Sequence, residues 1–555
     1  MNYSSKPWLK FYDPWVAKEI SKSSLTFKDY ADQTLKNFPN RPAFHFFDLT
    51  WTYRELFAKA DRFAHALGEY GLHKGDVLAI NLVNTPQYLI AMAGALKAGV
   101  TVSGLPPLLT QDEMAYQLSD LGAKAIITHD YLFKDRVAII APTVESLKLV
   151  IVTGLLGLAG DKSAGQSQFL SGPEVRSLTD LLEEYSPAVP QVALGPEDIA
   201  FIQYTGGTTG SPKGAMLTHR NMGAIVAELE TWINLKNGED VMLCPFPMYH
   251  VGGLVHTVQS FLMGFTQILV PDPRNLDYIV QQMGRYKPTL VGMVPTLAML
   301  LSENPGFKKL DVSSIKFCTV GAAPVPEGKA QDLEEAFGVN KMGEVYGLTE
   351  TFSLLTANPK SGVKKVGSIG IPLPSTRLKL VDLETGEREV PAGQEGEIIA
   401  NGPQIMKGYY NKPEETAKAL RKHDGEVWLH TGDIARMDED GYFYIVDRAK
   451  DMIIVGGYKV FSNDVEQKLS IHPAIELCAI VGFTNPERPG SELVKLVVKK
   501  SGSYANRPEE SVRDDILAFA REKLAPYKIP KVIEFVESIP LTSVGKIDKK
   551  ALRSN

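Results

Sequence analysis

Short apolar runs alternating with helix-patterned stretches constrain this chain more than any other feature. Residues 77–82 read as a buried strand. Thr85-Pro86 follows as an N-cap with proline at the first helical position, predicting a helix to about Ala98. Gly99-Val-Thr-Val102 begins the next strand, and residues 125–128 and 149–153 read as two more of the same sheet. Such alternation argues for parallel strands covered by helices. A similar cycle returns later: Gly75 opens and Gly99 closes the first unit, and Gly238 and Gly264 do the same for a second. The expected fold is α/β, with two βαβ-type sheet modules facing each other. Residues 157–187, rich in Gly, Ser and Ala, are expected to form an exposed excursion.

Between the modules lies the stretch Tyr204 to Thr218, after an apolar strand at 199–203. It holds Thr205, Gly206, Gly207, Thr208, Thr209, Gly210, Ser211, Lys213 and Gly214. Glycines let backbone N–H groups converge on an anion, the hydroxyls add short donors, and Lys213 adds a point charge. That is the equipment of a polyphosphate site. It is not a Walker A loop: Gly214 follows Lys213 where Ser or Thr would stand, and the next helix is expected only from about Asn221.

Strand candidates at 289–294, 315–320 and 343–346 each end in a loop, where ligands of open α/β sheets bind. In Tyr346-Gly347-Leu-Thr349-Glu350, Glu350 suits Mg²⁺, Thr349 suits an α-phosphate, and Tyr346 offers a flat face to adenine. Gly321, Ala322 and Ala323 are small enough for a ring or an acyl chain to approach the backbone. Asp433 can accept both hydrogen bonds of a ribose diol, and Arg448 can bind the same sugar or a phosphate. His250, followed by Val251, Gly252 and Gly253, stands at a strand-to-helix turn.

From Val366 onward Gly and Pro punctuate short strands, which suggests a small β-barrel. After the charged segment 447–451, a hinge candidate, comes a smaller α+β unit: two strands, a helix start at Asn463 and Glu466, two more strands, and a helix over 508–524. The expected domains are 1–447, a hinge at 448–451, and 452–555.

A net charge of -6 gives no reason to expect nucleic acid. Cys244, Cys318 and Cys478 lie far apart in apolar runs, so they read as core thiols in a reducing, cytoplasmic setting. No apolar run is long enough to span a bilayer. Trp8, Phe11, Tyr12 and Trp15 are expected to cover a core rather than to touch a membrane surface.

The string Tyr204 to Gly214, followed in order by Tyr346–Glu350, Leu429–Asp433 and Val544-Gly-Lys546, resembles the adenylate-forming enzymes. Within them the chain resembles AMP-forming acyl-CoA synthetases, most of all bacterial long-chain fatty acid–CoA ligases, through Trp8-Leu-Lys10, Pro273 to Asp277 and Leu310 to Ser314. The resemblance covers residues 52–552, nearly the whole chain. It implies ATP and CoA as co-substrates, Mg²⁺ as cofactor, and a carboxylic acid joined to AMP and then to CoA. It implies that Lys546 bridges the carboxylate and the α-phosphate, and that Lys213, Thr205 and Thr208 hold the outer phosphates. By the same token Lys450 is the pivot of a mobile C-terminal domain, and Gly456 and Gly457 line the CoA channel. His250 lines the acyl entrance, with Val251, Gly252, Gly253, Gly292 and Ala322 leaving room for a tunnel.

Two departures stand out. Ser462-Asn463 replaces the family's proline before the C-terminal helix, and Asn463 is expected to cap that helix. Gly321-Ala-Ala-Pro324 stands where fatty-acid enzymes often carry Gly-Gly-Gly-Met, and this version is shared by aryl and medium-chain branches. An aryl- or alicyclic acid–CoA ligase, and a ligase passing its acyl group to a carrier protein, therefore stay open, as does a nucleotide-binding regulator without turnover. A homodimer and a weak contact with the inner membrane face stay open too.

Overall fold

Strands that are apolar on both faces need cover on both sides, and this sets the layers. Along Val77–Asn81, Leu78 and Ile80 enter one core while Val77 and Ala79 enter another. Val241–Leu243 and Leu290–Met293 split likewise: Met242 and Leu290 join the first core, Leu243 and Val291 a third. Two sheets thus share the first core, with the helices Pro86–Lys97 and Val251–Met263 buried between them. The computed structural model describes residues 3–157, 172–205, 212–323, 325, 327–455, 458–485, 492–542 and 546–553.

One sheet has eight strands, in the order Gly408–Tyr409, Lys213–Thr218, Ile199–Thr205, Thr101–Gly104, Val77–Asn81, Ala125–His129, Leu149–Thr153, Glu174–Ser177. It is parallel from Ile199–Thr205 onward. The other has nine, running Ile371–Pro372, Thr356–Ala357, Met342–Tyr346, Phe317–Val320, Leu290–Met293, Val241–Leu243, Thr266–Ile268, Pro42–Phe46, Leu49–Thr52. Its middle is parallel as well.

The two expected βαβ modules are both present. Gly75 and Gly238 open them, Gly99 and Gly264 close them, and all four have left-handed φ between 69° and 88°. The loop expected over 157–187 is corrected in its second half. Residues 158–171 lie outside the described residues, but Glu174–Ser177 adds an edge strand and Leu178–Glu184 a helix with three buried leucines. The helix after the phosphate loop begins at His219, two residues early, because Thr218 and Asn221 form a reciprocal cap.

The small β unit is a five-stranded antiparallel sheet of Arg377–Val381, Glu395–Asn401, Glu426–Met437, Leu420–His423 and Phe443–Arg448. The last strand leads into a smaller α+β unit with its own core of Val465, Leu469, Ile480, Leu496, Val512 and Ile516. Its helix Ser462–Ser470 is not capped by Asn463, which sits inside the first turn. The carboxylate of Asp447 does that work from across the junction, accepting from the Ser462 N–H and, at 3.0 Å, from the Ser462 hydroxyl. A charged acceptor makes the stronger bond, so it displaces an amide cap.

Trp8 is 1% exposed against Phe443, and Phe11 and Tyr12 pack edge-on to Tyr442 and Trp232, while Trp15 stays exposed. Cys318 and Cys478 are buried, Cys244 nearly so, and all three are free thiols. Among the described residues no helix is long and apolar enough to cross a membrane.

Candidate active site

The strands Ile199–Thr205 and Lys213–Thr218 pair antiparallel, so Thr205 stands opposite Lys213. Gly206, Gly207, Thr208, Thr209 and Gly210, between them, lie outside the described residues. Lys213 is engaged: its ammonium pairs with Glu415 and lies 5.2 Å over the Tyr409 ring. The ammonium groups of Lys213 and Lys418 hold the Glu415 carboxyl down at about 2. Sequence reading missed Glu415, since nothing local ties the helix Pro413–Ala419 to a loop two hundred positions earlier.

At the end of Met342–Tyr346, the Tyr346 hydroxyl donates to Asp433 Oδ2 at 2.7 Å. Arg448, Asp433's cross-strand neighbour, approaches Oδ1 at 2.9 Å. Both oxygens expected to be free for a diol therefore have protein partners. Asp433's charge holds the Arg448 guanidinium above its ordinary range, and burial followed by Asp433 raises the Tyr346 phenol. Gly347 is required by close approach, because a Cβ there would lie 2.0 Å from the Ser353 carbonyl. Thr349 and Glu350 form a short turn, and Glu350 Oε1 accepts from the Tyr409 hydroxyl at 2.7 Å. Tyr409 thus touches both Lys213 and Glu350, a link the sequence did not reveal.

The Gly321 N–H donates to the Met293 carbonyl at 3.3 Å, and Ala322 follows with φ 73°. Alanine in that region costs about 1–2 kcal/mol, strain of the kind that gathers where a loop must present its backbone. Ala323 is exposed.

His250 caps the helix Val251–Met263, its Nδ1 accepting from the Gly252 N–H at 3.1 Å. Burial, then the Lys546 charge, push its imidazole down to about 3. The ring is therefore neutral, with its remaining proton on Nε2. Val251 is buried. Two glycines expected to open a tunnel do not leave empty space. A Cβ on Gly253 would meet the Pro247 carbonyl at 2.3 Å, and one on Gly292 would meet His256 Nε2 at 2.6 Å. Gly253 serves the tight turn into the helix, and Gly292 makes room for an imidazole.

Lys546 comes to this place from the C-terminal unit. Its ammonium lies within electrostatic reach of Arg448, Asp433 and Lys450, and of His250. Burial and then the Arg448 charge push it down to about 8. Lys450 is lowered by burial and by Arg448. The tail beyond Lys546 is tied down by Lys549 to Glu466 and by Arg553 to Asp451, both at 2.8 Å. Gly456 and Gly457 lie outside the described residues.

Two α/β sheets, the paired strands that carry Thr205 and Lys213, and a small lysine-bearing unit define a nucleotide-binding architecture of the adenylate-forming kind. Comparison with known proteins agrees. The family model described as AMP-binding enzyme matches residues 31–410, and that of the AMP-binding enzyme C-terminal domain matches residues 464–546. The chain belongs to the AMP-binding enzyme family. It is 38% identical to the long-chain-fatty-acid–CoA ligase of Bacillus subtilis over 99% of this chain and 98% of that one. It is 34% identical to a feruloyl-CoA synthase of an Amycolatopsis species over 90% of this chain and 93% of that one. The ATP-bound structure of MatB from Rhodopseudomonas palustris superposes with a TM-score of 0.83 at 28% identity, covering 96% of this chain and 99% of that one.

Proposed function

We propose that the protein is an AMP-forming acid–thiol ligase that activates a medium- to long-chain fatty acid with ATP and passes the acyl group to CoA. The observation that supports it is that Lys546, from a separate unit, interacts electrostatically with both His250 and the Asp433–Arg448 pair. In the first half-reaction a carboxylate oxygen attacks the α-phosphorus and pyrophosphate leaves, giving acyl-AMP. Charge on the transferring group must be met in place, and positioned cations do this best. Lys546 bridges the carboxylate and the α-phosphate, helped by Thr349. Thr205, Lys213 and the loop 206–210 hold the outer phosphates, with Lys213 exchanging Glu415 for phosphate. Asp433 and Arg448 take the ribose, and Tyr346 with residues 321–323 takes the base.

Glu350 is the residue to hold Mg²⁺, which asks for one or two carboxylates and takes its other ligands from phosphate and water. A single carboxylate beside Thr349 fits that need. When bound, the ion neutralises phosphate charge.

In the second half-reaction the CoA thiolate attacks the acyl carbon and AMP leaves. Residues 452–555 turn as a unit about Lys450 against the body 1–447, withdrawing Lys546 and bringing Gly456 and Gly457 to the channel. Gating by domain movement is an established device. The Asp447–Ser462 bonds span that junction and are the contacts to be exchanged.

The fatty-acid preference draws on the Bacillus relative. A second reading, an aryl acid, draws on the feruloyl-CoA synthase relative and on the Gly321-Ala-Ala-Pro324 segment. A panel of carboxylic acids of increasing length, with benzoate and hydroxycinnamates, scored by AMP release with CoA, decides between them. Product of ADP rather than AMP, or no thioester with any acid, would sink the proposal. Lys546→Ala should slow acyl-AMP formation by about a hundredfold or more while sparing thioester formation from supplied acyl-AMP.

A further inference from the structure

The stretch before Asp433 contains a histidine that the proposed chemistry does not use. His430 has a side chain 4% exposed, and its Nδ1 lies 2.9 Å from Glu397 Oε2. The other Glu397 oxygen accepts from the Gly432 N–H at 2.9 Å. One carboxylate therefore grips two positions of the same strand. Thr431, between them, donates to the Ile398 carbonyl at 2.8 Å and accepts from the Asp433 N–H at 3.1 Å.

These bonds hold a bulge. Glu397 pairs with Ile434 and Ile399 with His430, so two steps on one strand face four on the other. A bulge re-aims the side chains at its end, and a regular ladder would put alternate residues on the opposite face. Here the bulge contains Gly432 at φ 72°, and the side chain it delivers is that of Asp433. Its carboxylate arrives between Tyr346 and Arg448.

The hydrogen-bond logic extends one residue further. His430 Nε2 lies 2.8 Å from His423 Nε2. Burial raises the Glu397 carboxyl, but the bonds from His430 and the Gly432 N–H outweigh it and hold the group below its ordinary range. It is an acceptor only, so His430 donates from Nδ1, and in the neutral pair its Nε2 accepts. His423 then donates from Nε2. Arg421 and the Gly386 turn also face His430, and Lys379, Arg421 and Asp424 face His423. Burial, then His430, Lys379 and Arg421, push His423 down.

We propose that Glu397 and His430 are positioning residues that aim Asp433 at the ribose hydroxyls, and that His423 fixes the His430 tautomer. This rests on the assignment of Asp433 to the ribose, and the test separates the two claims. ATP and 2′,3′-dideoxy-ATP are compared in ATP–pyrophosphate exchange on the full-length protein, with melting temperature read alongside. Asp433→Ala should abolish the preference for ATP. Glu397→Gln keeps the size but turns a donor toward either Gly432 N–H or His430 Nδ1–H. It should raise KM for ATP about tenfold and shrink the ATP preference, leaving KM for the acid unchanged. His423→Gln, which keeps a donor, should restore what His423→Leu loses. Equal losses with both nucleotides in Glu397→Gln would make the pair merely structural and overturn the proposal. An unchanged preference in Asp433→Ala would defeat the ribose assignment instead. Should Glu397→Gln not fold, an unaltered preference in His423→Leu overturns the proposal by itself.

Discussion

The two βαβ modules follow the same path and end in different employment. In each, the opening glycine donates to the closing turn: Gly75 to Gly99 at 3.0 Å, Gly238 to Met263 at 2.8 Å. In each, the second strand begins with a threonine donating to the residue ahead of the first strand, Thr101 to Asp76 and Thr266 to Asp240. The difference lies in the connection from first strand to helix. It runs over residues 82–85 in the first module and 244–250 in the second. The longer connection sets His250 at the helix start, where the first module has Thr85.

The first module then holds that longer loop in place. Asn84 donates to the Phe246 carbonyl at 2.9 Å and accepts from the Met248 N–H at 2.8 Å, while Tyr88 donates to the Met248 carbonyl at 3.0 Å. At the end of its second strand, a Cβ on Gly104 would lie 2.6 Å from Tyr249 Cα. A few extra residues give the second module a longer loop, and the first module clamps it.

Several substitutions test that division. The largest effect belongs to Gly238→Ala. Its Cβ would lie 2.3 Å from the Phe38 ring, whereas one on Gly75 meets nothing within 4 Å. Both pay the left-handed penalty, but overpacking adds to Gly238, for about 3 kcal/mol against 1–2 for Gly75. Equal losses in urea unfolding would mean the modules are packed alike.

Asn84→Ala comes next, with a fall of about tenfold in kcat/KM for acyl-AMP formation as the His250 loop loosens. Made together with His250→Ala it should add little. Strict additivity in the double-mutant cycle would show that Asn84 does not act through His250.

Changing pH sharpens the contrast without a mutation. His250, at about 3, stays neutral throughout the working range, so it contributes no acid limb there. Lys546 loses its charge as pH rises through about 8, so kcat/KM should fall above that point. An ordinary lysine would hold its charge to about 10.4. A profile flat beyond 9 would contradict the placement of Lys546 in a buried, cationic setting.

The smallest effect is expected at Thr85. It occupies an N-cap position, yet its buried hydroxyl caps nothing and finds no hydrogen-bond partner among the described residues. Thr85→Ala should change stability by less than about 0.5 kcal/mol, while Thr218→Ala, which removes a working cap, should cost about 1. Matching losses would make Thr85 a true cap.

What could be read directly from the residues was local. Apolar runs marked the parallel strands within a residue or two, because a strand covered on both faces leaves no polar period. The nucleotide motifs were legible because each is a short contiguous run, and the relatives bear out the family they named. Caps were harder to read: the Thr218–Asn221 cap went unread, and Thr85, read as an N-cap, makes no capping bond. Asn463 failed because its competitor, Asp447, reaches the same helix from the neighbouring strand. Glu415 on Lys213, Asn84 on the His250 loop, and Glu397 on the bulge before Asp433 escaped for the same reason. Each polar partner comes from a segment distant in the chain, and the tertiary fold decides which groups meet. Periodicity and capping are carried by neighbours along the chain. The aim of a functional side chain is set by hydrogen bonds across it, and those exist only once the sheets have formed.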